Sequence, residues 1–155
     1  MERLLIIGYG NPLRGDDGIG WHVAENLLHF AWAEDVPILT RHQLTPELAE
    51  RLVNVDRVIF IDAQVGVRPG EIQVQRVNAA ADSAFAFTHH LTPDALLAAA
   101  RDLYGSSPDA RLFTVTGESF ALQETLSPTV KMAVPRLLSE IEQYATNKDG
   151  LYARI

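Results

Sequence analysis

The sequence predicts an α/β fold, a three-layer sandwich in which helices cover both faces of a twisted, mostly parallel central sheet. Short apolar runs typical of buried strands alternate along the 155 residues with longer segments of helical periodicity. Glycine and proline residues separate these segments, as expected of turns. With 47% hydrophobic residues the chain is expected to form a single domain, residues 1–155, whose last part, 146–155, is a frayed tail.

The first strand and helix are predicted from the first 30 residues. The segment LLIIGY, residues 4–9, is apolar on successive residues, which is typical of a strand buried on both faces. From Ile19 onward apolar residues recur at spacings of four and three, so an amphipathic helix follows. The glycine-rich loop GYGNPLRGDDGIG, residues 8–20, connects the two and carries Asp16 and Asp17 side by side.

The middle of the chain is predicted to add two strands, a short helix and an edge strand. VPILTRH, residues 36–42, reads as a strand, and TPELAERL, residues 45–52, as a short helix with threonine and proline at its start. The run DRVIFIDA, residues 56–63, is expected beside the first strand, ending at Asp62. The alternation in EIQVQRV, residues 71–77, follows a Pro-Gly turn and indicates a strand nearer the edge of the sheet.

Two helices and one strand are predicted in the last third. One helix begins at Thr92 and stops at Gly105, which is a favourable helix terminator. ARLFTVTGES, residues 110–119, has strand composition. LSPTVKMAVPRLLSEIEQYA, residues 126–145, forms the final helix, which Pro135 should bend.

The composition excludes several kinds of function. The chain has no cysteine, so thiolate metal sites, iron-sulfur clusters and cysteine nucleophiles are ruled out. A formal net charge of -7, from 13 basic and 20 acidic side chains, argues against a nucleic-acid partner. The apolar run near the start is too short for a signal sequence or a membrane span, so a cytoplasmic protein without membrane insertion is expected.

The glycine-rich loop matches neither of the two phosphate-binding motifs that it resembles. Leu13 stands where a dinucleotide fingerprint requires its third glycine. The spacing from Gly10 to Gly15 is that of a P-loop, but Asp16 and Asp17 replace its lysine and hydroxyl residue. Two carboxylates repel a phosphate, so the pair argues against a nucleotide and in favour of a cation.

Acidic and imidazole side chains follow three of the predicted strands. Asp17 comes after the first strand and Asp62 ends the second central strand, while His89 and His90 follow a β-type run at 84–88. The carboxyl ends of parallel strands meet at one edge of a sheet, so these side chains are expected to converge. Two carboxylates and one imidazole can hold a divalent metal with positions left open for water or substrate. One of the adjacent aspartates could instead cap the first helix.

The motifs at these three places resemble the hydrogenase maturation endopeptidases, which remove a C-terminal extension from the precursor of the nickel-iron hydrogenase large subunit. The matching stretches, in order, are LLIIGYGNPLRGDDGIGWHVAENL, FIDA and THHLTPDALL, and the closing TLSPTVKMAVPRLLSEI is similar to the final helix of this family. The resemblance implies an α/β sandwich with three metal-contacting residues, Asp17, Asp62 and His89. It also implies that the metal is nickel supplied by the substrate precursor, which is the expected partner.

On this interpretation nickel polarises the scissile carbonyl or acidifies a water, while Asp16 assists proton transfer as a further catalytic residue. His89 is chosen over His90 because Leu91, Thr92 and Pro93 follow it in the family's order. Two other functions remain open from the residues alone. One is a non-catalytic flavodoxin-like or nucleotide-binding module, and the other is a metallohydrolase with a permanent metal of its own.

Overall fold

The structure is a computed structural model that describes residues 2–81 and 91–147. This part of the chain contains five strands and four helices. The strands are β1 (Leu4–Tyr9), β2 (Ile38–Arg41), β3 (Arg57–Gln64), β4 (Ile72–Val77) and β5 (Asp109–Thr116). The helices are α1 (Ile19–Leu27), α2 (Leu48–Leu52), α3 (Pro93–Tyr104) and α4 (Pro128–Thr146), with 3-10 turns at Gly15–Gly18 and Ala31–Ala33. None of these helices is both long and apolar enough to cross a membrane.

The strands form one sheet in the order β2-β1-β3-β5-β4. β1 pairs in parallel with β2 and β3, β3 pairs in parallel with β5, and only β4 runs antiparallel to its neighbour among the described strands. The prediction of a mostly parallel central sheet, with β1 and β3 adjacent at its centre, is therefore confirmed. The strand order reverses between β1 and β3, because the chain passes to one side of β1 to form β2 and to the other to form β3.

Helices cover both faces of the sheet, as predicted. Side chains of a strand alternate between its two faces, so each central strand contributes to two separate cores. One core joins β-strand residues such as Leu5 and Phe60 to α2 and α3, and the other joins Ile6 and Ile59 to α1 and α4. This burial on both faces explains why the sequences of β1 and β3 are apolar without interruption.

Helix boundaries follow the predicted start and stop residues with one exception. α3 begins after Thr92 and ends at Gly105, whose φ of 88° is in the left-handed region that glycine adopts readily. α2 begins at Leu48 rather than Thr45, because the amides of Leu48 and Ala49 bond three residues back in a tight turn. α4 continues through Pro135 to Thr146. The predicted β-type run at 84–88 and the tail beyond residue 147 lie outside the described residues.

Candidate functional site

The site predicted from the sequence lies where the strand order reverses. The ladder between β1 and β3 ends at the pair Gly8 and Ile61, whereas β3 continues beside β5 as far as Gln64. Asp62 is consequently the first residue of β3 beyond its pairing with β1. In open α/β sheets the crevice outside the carboxyl ends of the strands at such a point is the usual place for a ligand.

Asp17 sits beside this crevice in the 3-10 turn that follows β1. Its side chain is half-buried, and its Oδ2 accepts a hydrogen bond of 2.7 Å from the backbone N–H of Asn11. The backbone N–H of Asp17 donates in turn to the carbonyl of Arg14 at 3.1 Å. The loop thus fixes the position of the Asp17 carboxylate through its own backbone.

Asp62 is electrostatically coupled to Asp17. The pKa of Asp62 is raised from 3.8 to about 7. Burial is the largest cause and the negative charge of Asp17 adds to it, while a hydrogen bond from the backbone of Ala63 acts in the opposite direction. The N–H of Ala63 donates to Asp62 Oδ1 at 2.8 Å. The structure therefore brings together Asp17 and Asp62, two of the predicted metal-contacting residues, although 45 positions separate them in the sequence. Two half-buried carboxylates this close to each other form a favourable place for a cation.

The third predicted ligand, His89, and its neighbour His90 lie outside the described residues. Their predicted role is untested. In the described part of the chain no group of three histidine, aspartate or glutamate side chains could hold a metal ion. The start of α3 does approach the site, because the charge of Asp94, in the first turn of this helix, contributes to raising the pKa of Tyr9. The start of α3 therefore lies near Tyr9.

Asp16 has a different environment from Asp17. Its side chain is fully buried, with 0% exposure, and its carboxylate accepts four hydrogen bonds of 2.7 to 2.9 Å. The donors are the backbone N–H groups of Glu118, Ser119 and Ser127 and the hydroxyl of Ser127. Burial alone would raise the pKa of Asp16, but these hydrogen bonds outweigh it and hold the pKa below 3.8.

This geometry does not support the proton-transfer role predicted for Asp16. A general acid or base must be able to gain a proton near the working pH and must reach the reacting atoms. The Asp16 carboxylate accepts hydrogen bonds from four donors, and it stays ionised because these bonds lower its pKa. It also does not cap α1 or the preceding turn, at which no side-chain cap is present. Instead its hydrogen bonds connect the loop after β1 to Ser127 at the start of α4. The two residues lie 111 positions apart in the sequence, so no local pattern could reveal the contact.

Glycine residues allow α1 to pack directly on the carboxyl ends of the strands. A Cβ on Gly20 would lie 2.5 Å from the Ile61 carbonyl oxygen and 2.7 Å from the Tyr9 nitrogen, distances that side chains do not tolerate. A Cβ on Gly8 would lie closer still to the Gly20 carbonyl oxygen. Part of the glycine content of the loop therefore serves contacts within the protein and sets the position of α1.

Trp21 is a structural residue of this region that sequence reasoning missed. Its indole Nε1 donates to the carbonyls of Gly10 and Arg41 at 2.9 and 3.0 Å, and so bridges the ends of β1 and β2. The ring packs edge-on against His42, with centroids 5.3 Å apart. The only signal for this role in the sequence was the position of a tryptophan on the polar side of a predicted helix.

Fold and site together define an α/β protein with a two-carboxylate site at the switch point of its sheet. No family model matches the chain, and no curated protein matches it either. Among solved structures, the hydrogenase maturating endopeptidase HybD from Escherichia coli is similar at 25% identity, with 94% of each chain covered and a TM-score of 0.72.

A hydrogenase maturation protease HycI from Thermococcus kodakarensis is similar at 28% identity, with 94% of each chain covered and a TM-score of 0.71. An endopeptidase from E. coli, solved in solution, is similar at 27% identity over 96% of this chain and 94% of its own, with a TM-score of 0.73. The predicted resemblance to the hydrogenase maturation endopeptidases is confirmed by these structures.

Proposed function

We propose that this protein is an endopeptidase that removes the C-terminal extension from the nickel-loaded precursor of a nickel-iron hydrogenase large subunit. The observation that carries the proposal is the pairing of Asp17 and Asp62 at the switch point of a fold similar to maturation endopeptidases over 94% of the chain. The likeness to these proteins supports a protease role in hydrogenase maturation. Processing takes place in the cytoplasm in this proposal.

The nickel is part of the substrate in this proposal. Asp17 and Asp62, together with His89, offer two carboxylate oxygens and one imidazole nitrogen, a set that suits a divalent ion of intermediate softness. Such a set leaves coordination positions to be filled by side chains of the precursor. Recognition of the metal then distinguishes a precursor that has received its nickel from one that has not.

Cleavage is the hydrolysis of one peptide bond. A water oxygen adds to the scissile carbonyl carbon, the carbon-nitrogen bond breaks, and the leaving amine takes up a proton. The nickel held near Asp17 and Asp62 can polarise the carbonyl or lower the pKa of the attacking water. Asp16 has no direct part in these steps and acts through the loop that carries Asp17.

The test is to incubate the purified protein with nickel-loaded and nickel-free precursor and to follow the mass of the large subunit. The expected result is cleavage of the loaded form only. Cleavage of both forms alike would remove nickel recognition from the proposal, and cleavage of neither would overturn it. A stoichiometric metal in the protein purified without precursor would instead favour a resident metal ion.

The site is tested by substitution in the same assay. Asp17→Asn, Asp62→Asn and His89→Ala are each expected to abolish processing while leaving the fold intact, whereas His90→Ala should have a milder effect. Asp35→Asn, at an exposed aspartate, is the matched control and should cleave as the unaltered protein does. If His90 is essential and His89 dispensable, the imidazole ligand is His90.

A further inference from the structure

We propose that Tyr9 is a positioning residue of this site, whose hydroxyl group holds the Asp62 carboxylate in the orientation that meets the nickel of the precursor. The inference rests on the proposed function and adds a residue to it. Tyr9 was part of the apolar run that predicted β1, and nothing in that run marked it as a polar contact of the site.

The register of the sheet places Tyr9 next to Asp62. Gly8 is paired with Ile61, so Tyr9 and Asp62 are the next residues on two adjacent parallel strands. Ile7 and Phe60 both belong to the core that faces α2 and α3. Since side chains alternate along a strand, Tyr9 and Asp62, two residues further on, project to that same face.

The ring of Tyr9 is held by packing. It lies edge-on against Phe60, with centroids 6.4 Å apart and an interplanar angle of 86°, and it contacts the core on the α3 side of the sheet. Such edge-to-face pairs are favourable arrangements of aromatic rings. A fixed ring carries its hydroxyl to one place, and the register of β1 and β3 puts that place beside Asp62.

The Asp62 carboxylate thus has two donors. The N–H of Ala63 donates to Oδ1 at 2.8 Å, and in this proposal the Tyr9 hydroxyl is the second donor. A phenol hydroxyl is a hydrogen-bond donor at neutral pH, and its bond to a carboxylate is charge-assisted. Repulsion from Asp17 would otherwise turn the Asp62 carboxylate away before the metal arrives.

Hydrogen bonds to ligating carboxylates orient them toward a metal, and losing such a bond typically costs about 10- to 100-fold in metal affinity or activity. Tyr9→Phe removes only the hydroxyl and keeps the ring that packs on Phe60. With nickel-loaded precursor, Tyr9→Phe is expected to lower kcat/KM by about 10- to 100-fold while leaving the melting temperature nearly unchanged. Tyr104→Phe, at an exposed tyrosine of α3, is the matched control and should leave kcat/KM unchanged.

The second measurement does not depend on cleavage. The side-chain carboxyl carbon of Asp62, assigned in carbon-13 spectra by its absence in Asp62→Asn, should shift in the metal-free Tyr9→Phe protein and should not shift in Tyr104→Phe. Wild-type kcat/KM in Tyr9→Phe, or an unmoved Asp62 resonance, would overturn the role of Tyr9. Wild-type cleavage by Asp62→Asn would instead overturn the site of the proposed function, so the two failures are distinguishable.

Discussion

Asp16 and Asp17 are neighbours in sequence with opposite environments. Asp17 is half-buried beside the switch point, whereas Asp16 is fully buried and accepts hydrogen bonds from the segment before α4. The sequence could predict an acidic pair at the end of a strand, and hence a cation site. It could not predict which carboxylate serves which purpose, because the donors to Asp16 lie more than 100 positions away and follow no periodicity.

Asp16→Asn should lower the free energy of unfolding. An asparagine amide would place an NH₂ group against N–H donors and leave at least one of them without an acceptor, at a cost of roughly 3 kcal/mol. Urea unfolding measures the change, and the exposed Asp35→Asn should stay within about 0.5 kcal/mol of the unaltered protein. Equal stability of Asp16→Asn would show that the four hydrogen bonds contribute little.

The raised pKa of Asp62 predicts a pH-dependent stability of the metal-free protein. An acid whose pKa is higher in the folded state, about 7 against an ordinary 3.8, binds more protons when folded, so stability falls as pH rises between these values. Asp62→Asn should therefore match the unaltered protein near pH 4 and exceed its stability at pH 8 by roughly 2 kcal/mol, with screening reducing the full linkage value. Melting temperatures of both proteins across this range test it, and parallel curves would contradict it.

At the scale of elements, helix α1 and strand β3 meet through backbone contacts that only glycine allows. The sequence predicted α1, β1 and β3 correctly, because their apolar patterns are long and regular. It could not show that Gly20 lies against the Ile61 carbonyl, since that contact depends on how the helix crosses the sheet. The position of Asp17 relative to Asp62 depends on this crossing.

Gly20→Ala should disturb both stability and processing. A methyl group 2.5 Å from the Ile61 oxygen must push α1 away from the sheet, at a cost of about 1 to 3 kcal/mol or more. Because the loop holding Asp17 leads directly into α1, cleavage of loaded precursor should also fall. Thermal unfolding and the mass assay check the two effects, with the exposed Glu25→Ala on the same helix as the control. A fully active, fully stable Gly20→Ala protein would refute the close packing.

At the scale of the whole molecule, the order β2-β1-β3-β5-β4 brings two distant aspartates to one crevice. The adjacency of β1 and β3 was predictable, because two unbroken apolar strands are best buried in the centre of a sheet. The contribution of His89 stays a prediction, since that residue lies outside the described part of the chain.

Asp17 and Asp62 should behave as one unit in catalysis. If both carboxylates bind the same nickel ion, removing one already prevents productive binding, and removing the second has little further effect. Residual processing rates of Asp17→Asn, Asp62→Asn and the double variant, followed over long incubations with loaded precursor, measure this coupling. The double variant should be no slower than the slower single variant. Rates that multiply would indicate two independent roles.

The hydrogen bonds of Asp16 also bear on the order in which the protein becomes competent during its synthesis. Asp17 and Asp62 are both made within the first half of the chain, yet the loop that carries Asp17 is fastened by Ser127. A nascent chain still lacking α4 has both carboxylates but cannot lock one of them in place. In the proposed function, metal recognition therefore requires the segment that carries Ser127, and it is acquired later in synthesis than the two carboxylates themselves.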